Sequence, residues 1–102
     1  MAQRLRIYQV DEQGPLRPLL FHSYIDFQKA GMAKPPRNGY KLVFDGELGT
    51  TNLESIFSTF NCNCPDGYTG RSMTVSDVIE LCHDTMSQYF FCDTFGFENI
   101  DF

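Results

Sequence analysis

Met73-Thr74-Val75-Ser76-Asp77-Val78-Ile79-Glu80-Leu81 and Tyr89-Phe90-Phe91-Cys92-Asp93 are two runs rich in β-branched and aromatic residues, and the polar stretch His83-Asp84-Thr85-Met86-Ser87 lies between them. Residues of this kind fit a pleated, half-buried surface, and a polar turn joining two such runs makes a hairpin. The C-terminal third is therefore expected to be a β-hairpin.

The rest of the chain supplies helices and strands to pack on it. Arg4-Leu5-Arg6-Ile7-Tyr8-Gln9-Val10 alternates, which predicts a first strand with Leu5 and Ile7 on its inner face. Asp11 to Pro18 carries Gly14, Pro15 and Pro18 and reads as a loop. Leu19-Leu20-Phe21 leads into a short helix, with Ser23 as N-cap, Tyr24 and Phe27 on one face, and Gly31 closing it in a left-handed turn. After the loop Lys34–Gly39, Tyr40-Lys41-Leu42-Val43-Phe44 reads as a second strand, closed by Asp45-Gly46. Thr51-Asn52-Leu53-Glu54 fits a capping box between Thr51 and Glu54. Leu53, Ile56, Phe57 and Phe60 then form one apolar stripe at helical spacing. Asn61 to Gly70 reads as a loop. The expected fold class is α+β: a small mixed sheet in β-α-β-α-β-β order, two helices packed on one face, and the hairpin last.

Length and composition bound the rest. The 102 residues make one domain, 1–102, and 42% hydrophobic against 21% charged residues places it among globular chains rather than disordered ones. Ten Phe and five Tyr can fill a core without Trp. No segment approaches the ~20 apolar residues of a membrane helix. The start Met-Ala-Gln-Arg-Leu-Arg lacks the apolar stretch of a leader, so the expected compartment is cytoplasmic and the four cysteines reduced.

Charge is divided along the chain. Residues 1–41 hold seven Lys/Arg against three acids, +4, and residues 42–102 hold Arg71 alone against ten acids, −9. The net −5 argues against general nucleic-acid binding, which needs a basic face. It permits a basic partner or imitation of DNA. The simplest reading is that the two halves neutralise each other across the fold.

Gly70-Arg71-Ser72-Met73-Thr74-Val75-Ser76-Asp77-Val78-Ile79 and Tyr89 to Phe97, ending Asp93-Thr94-Phe95-Gly96-Phe97, resemble the two motifs of the YodL-like domain family. Ile7-Tyr8-Gln9, Asp45-Gly46-Glu47-Leu48 and Leu53-Glu54-Ser55-Ile56-Phe57 fit the same pattern upstream. Arg71 stands where the family commonly has His, and Thr94 where it commonly has Ser. The resemblance implies a small bacterial domain, frequent in Firmicutes and their mobile elements, with one relative linked to an actin-like cell-shape protein. It implies no catalytic residues.

Candidate chemistry is sparse. If Leu81 pairs with Tyr89, Asp77 falls opposite Asp93. That carboxylate pair would serve acid/base work or bind a cation. The simpler reading has each aspartate capping a turn, since like charges directly opposite are unfavourable in a sheet. Phe95-Gly96-Phe97 is either an exposed docking wedge or a glycine turn whose flanking Phe side chains anchor the chain end, and the second is preferred. Phe102 is the better candidate for exposure. Cys62, Cys64, Cys82, Cys92, His22 and His83 offer one close cysteine pair, spaced more tightly than zinc pairs usually are. No metal and no cofactor is expected, and neither a P-loop nor a dinucleotide-binding glycine motif occurs.

The expected function is thus a non-enzymatic protein-interaction or accessory domain whose partner is a protein. Its candidate partner-contact and motif residues are Asp77, Asp93, Phe95, Gly96 and Phe97. One alternative is an acidic DNA mimic acting in counter-defence. The other is a small enzyme or metal-binding protein using Asp77 and Asp93, with His83.

Overall fold

The computed structural model describes residues 3–32, 34–62 and 64–102. Met1 and Ala2, on which the leader reading partly rested, and Asn63 of the expected loop lie outside them. Five strands, β1 (Gln3–Val10), β2 (Tyr40–Leu48), β3 (Val78–Cys82), β4 (Ser87–Cys92) and β5 (Phe97–Ile100), form one sheet in the order β2-β1-β3-β4-β5. Two α-helices, α1 (Tyr24–Lys29) and α2 (Leu53–Cys62), lie between the strands in sequence. The class is α+β, as expected.

The sheet is antiparallel throughout, not mixed. Strands β2 and β3 run the same way but sit on opposite sides of β1, so they never pair. Strand β5 is an addition to the expected order: after the turn at Gly96 the chain doubles back along β4.

The helices lie on opposite faces, which corrects the expectation of one shared face. Leu5, Ile7, Ile79, Leu81 and Cys92 bury one sheet face against Ile56 and Phe60 of α2. Tyr8, Val10, Val78 and Phe91 bury the other against Phe27 of α1 and Leu16. Alternation in β1 is the cause: Leu5 and Ile7 point to one side, Tyr8 and Val10 to the other, and all four are buried. A strand apolar on both faces needs a cover on both. An irregularity of register between Ile7 and Tyr8, where Val43 of β2 is the extra residue, lets Val43 and Phe44 both join the α2 core.

Local signals set the helix ends. Ser23 caps α1, accepting from the Asp26 amide at 3.3 Å. Gly31, at φ +87°, ends it with Met32 N–H bonded to the Phe27 carbonyl and Gly31 N–H to that of Gln28. In α2 the cap is Asn52, whose side chain accepts from the Ser55 amide at 3.0 Å, rather than Thr51. Helix α2 also runs on through Asn61 and Cys62, which were expected to be loop.

If both faces are core, both should respond to truncation. Phe27 and Phe60 are each fully buried and meet Phe91 and Phe44 edge-on at 5.3 Å and 4.9 Å. Phe27→Ala and Phe60→Ala are each expected to lower the unfolding free energy by about 3–5 kcal/mol in urea titrations. A negligible loss at Phe27 would show that the α1 face is not part of the core.

Candidate functional site

The first motif builds a clasp inside the fold. Gln9 is fully buried, and its amide meets the backbone of Arg71 from both ends: Oε1 accepts from the Arg71 N–H at 3.1 Å, and Nε2 faces the Arg71 carbonyl at 2.9 Å. The same Nε2 lies 3.0 Å from Asp77 Oδ2 and 2.9 Å from the Tyr68 hydroxyl. Gly70 is required here because a Cβ would run into Gln9 Oε1 and the Val43 side chain. Asp77 Oδ2 also accepts from the Thr74 amide at 2.9 Å, closing the turn before β3.

Asp77 is fully buried, and among the described residues its Oδ1 finds no hydrogen bond; Arg71 Nη2 lies 3.9 Å from it. Burial therefore pushes its carboxyl up to about 7, against the opposing pull of Thr74, Gln9 and Arg71.

On the α1 face a second polar group sits within the sheet. Glu80, 2% exposed, accepts from the Tyr8 hydroxyl at 2.7 Å and the Ser87 hydroxyl at 2.5 Å and pairs with Arg6 at 3.2 Å. Burial works to raise its carboxyl, but the bonds from Ser87, Tyr8 and Arg6 together hold it below its ordinary value. Burial, then the Glu80 carboxylate, pushes the Tyr8 hydroxyl well up. Arg37 lies over Tyr8, Tyr89 and Phe102, 5.2–5.8 Å from the ring centres. Glu80 was not singled out in the sequence. Its signal was a lone acid inside an apolar strand, on the same alternation as Arg6.

The second motif forms the β4–β5 turn, the most exposed apolar feature of the fold. Asp93 Oδ1 accepts from the Thr94 amide at 2.8 Å and from the Tyr24 amide of α1 at 3.2 Å, so the turn is tied to the helix start. Asp93 N–H bonds the Gly96 carbonyl at 3.0 Å, and Gly96 takes φ +85°. Phe97 turns inward against Phe57 of α2, and Phe95 projects outward, 94% exposed. Two clefts flank the turn: one of about 240 Å³ lined by Glu54, Phe57, Cys92 and Phe97, the other of about 300 Å³ lined by Ser23, Ile25 and Phe95. Thr94 and Asp93 border both.

Several expectations change against this geometry. Leu81 pairs with Gln88 rather than Tyr89, so the hairpin register is one residue off the expected one. Continued back, the ladder joins Ser76 and Asp77 to Cys92, not to Asp93. Among the described residues Asp77 and Asp93 share no hydrogen-bonding partner: one lies in the clasp and the other caps α1 and its own turn. The two carboxylates therefore do not make the expected acid/base or cation pair, and each closes a turn of its own. Phe95 is exposed, whereas an anchoring role was expected for both Phe residues beside Gly96. Phe102 is half-buried against Tyr8, Tyr40 and Tyr89 rather than exposed.

The thiols and imidazoles are dispersed. Cys92 lies in the α2 core, Cys82 sits near Arg6 on the α1 face, His22 pairs with Asp26 and His83 contacts Gln88. Among the described residues, no three His, Cys, Asp or Glu side chains gather as a metal-binding group.

A family model described as the YodL-like domain matches residues 4–102. No curated protein and no solved structure matches the chain.

The buried carboxyl makes stability depend on pH. With its folded pKa raised above the unfolded value, Asp77 stabilises the fold only in its protonated form. That contribution is complete below the unfolded pKa of about 3.9 and is lost as pH rises towards about 7. Unfolding free energies from pH 4 to 7 are expected to fall through this window in the native protein. Asp77→Asn should flatten that slope, and an unchanged slope would locate the titration elsewhere.

Proposed function

The chain belongs to the YodL-like domain family, and on that premise we propose that it is a non-enzymatic protein-interaction domain whose contact surface is the Asp93–Phe97 turn. The exposure of Phe95 carries this reading. A large aromatic ring standing clear of the surface on a tied turn costs solvation and contributes little to the fold. Such rings are the anchors of protein interfaces. Ile25, 58% exposed across the 300 Å³ cleft, widens the apolar patch. The partner would be a protein with an apolar socket rimmed by basic groups, because Glu54 lines the cleft beside the turn and Glu98 follows the turn in β5, neither with an arginine or lysine in ion-pair contact among the described residues.

The resemblance rather than the geometry supports a bacterial protein of Firmicutes or of their mobile elements, and the sequence reading above supports a cytoplasmic one. DNA imitation has less support. It needs acids free along one surface, yet Asp45 and Glu80 are held by Arg4 and Arg6 of β1, Glu12 by Arg71, and Asp77 is buried.

Phe95→Ala separates binding from folding. Its effect on stability should stay within about 0.5 kcal/mol, as for exposed side chains generally. Affinity capture from a bacterial host with the native protein is expected to retain a partner that Phe95→Ala loses and that Leu42→Ala, an exposed apolar residue on β2 at the opposite edge of the sheet, keeps. Identical recovery by all three proteins, or recovery of nothing, would overturn the reading.

A further inference from the structure

Resting on the reading of this protein as an interaction domain, we propose that the outer edge of β5 and the adjoining cleft form a slot for an extended, basic segment of the partner, which adds to the sheet as a sixth strand. The two sheet edges differ. On β2 the Thr69 N–H bonds the Val43 carbonyl at 2.9 Å, so a loop covers the middle of that edge. On β5 the four residues Phe97–Ile100 pair with β4, and among the described residues no other backbone hydrogen bond engages them. An edge strand left this way presents unpaired donors and acceptors to any extended chain.

The surroundings say what kind of chain fits. Phe97 of β5 meets Phe57 of α2 edge-on at 6.3 Å, and these two rings line the 240 Å³ cleft beside the strand. An added strand sends alternate side chains to each face. Every second residue would therefore face the α2 side, where one apolar side chain can enter the cleft. Its other residues would lie beside Glu98, which is on the opposite face from Phe97. Glu54 and Asp93 border the cleft, and Glu98 and Asp101 flank the edge. None of these four carboxylates is in an ion pair among the described residues. The complementary segment alternates apolar with lysine or arginine side chains. A second copy of this chain fits badly, because antiparallel pairing of β5 with itself would bring two sets of Glu98 and Asp101 together.

The test uses the full chain and a short acetylated peptide of alternating lysine and valine, followed by fluorescence anisotropy and amide hydrogen exchange. The peptide is expected to bind, to slow exchange at Phe97–Ile100, and to bind about tenfold or more weakly to the Glu54→Lys, Glu98→Lys double variant, whose substituted positions are exposed. Two further peptides carry methyl groups on the backbone nitrogens of either the valines or the lysines. They keep every charge but remove the donors on one side of the strand, so at least one should lose binding. No binding by the unmethylated peptide, undiminished binding by both methylated forms, or no protection at β5 would overturn the proposal. So would β5 protection that grows with protein concentration alone, which would make the occupant a second copy. Peptide binding that fails while Phe95-dependent capture persists removes the slot and leaves the reading of the turn intact. Peptide binding that persists without Phe95-dependent capture does the reverse.

Discussion

The structure depends on β1 lying between β2 and β3. Leu5 and Ile7 pair with Leu81 and Ile79 on one face, while Arg6 pairs with Glu80 on the other. Residues near the start of the chain are thereby joined to residues more than 70 positions later. Closing so long a loop costs chain entropy, which the two-sided burial of β1 must offset. Once β1 is in place, the remaining geometry follows. Helix α2 must cross the face that Leu5 and Ile7 leave open, and α1 must cover Tyr8 and Val10 on the reverse.

The same strand resolves the uneven charge. Its arginines meet acids from the second half of the chain: Arg4 and Arg6 take Asp45, and Arg6 also takes Glu80. Arg71, the lone cation of that second half, reaches back to Glu12. Surface pairs of this kind contribute little singly. The Glu80 group is different, because two hydroxyls and a guanidinium satisfy a carboxylate that is almost wholly enclosed, and removing any partner would leave buried polarity unmet. These pairs engage Asp45, Glu80 and Glu12, while Glu54, Glu98 and Asp101 are in no ion pair among the described residues.

The two motifs that identify the family serve one construction. The first holds the loop before β3 against Gln9 through Gly70, Arg71 and Asp77, and the second folds β5 back on β4. They meet at Cys92, whose backbone bonds both Ser76 and Asp77. Ser76, buried at φ +87°, takes a backbone conformation that non-glycine residues resist, and bonds to its carbonyl from Tyr40 and to its hydroxyl from the Phe21 amide hold it there. The product is a turn tied to α1 by Asp93, which carries Phe95 outward. A turn whose backbone is already tied has less freedom to lose on binding than a loose loop.

By itself the sequence determined the local periods, the cap at Ser23, the left-handed turns at Gly31 and Gly96, the apolar stripe of α2 and the family. Each of these rests on residues close together in the chain, where spacing dictates geometry. Only the tertiary structure decided the strand order, the split of the helices between two faces, the hairpin register and the contrast between exposed Phe95 and sheltered Phe102. Alternation states which side chains of one strand share a face, but not which strand lies beside it. In this chain both faces of β1 are apolar, so the pattern allowed either side to be the inner one. The separation of Asp77 from Asp93 follows from a shift of a single residue in pairing, and the outward turn of Phe95 from the inward turn of Phe97 onto α2, a contact between segments 40 residues apart in sequence.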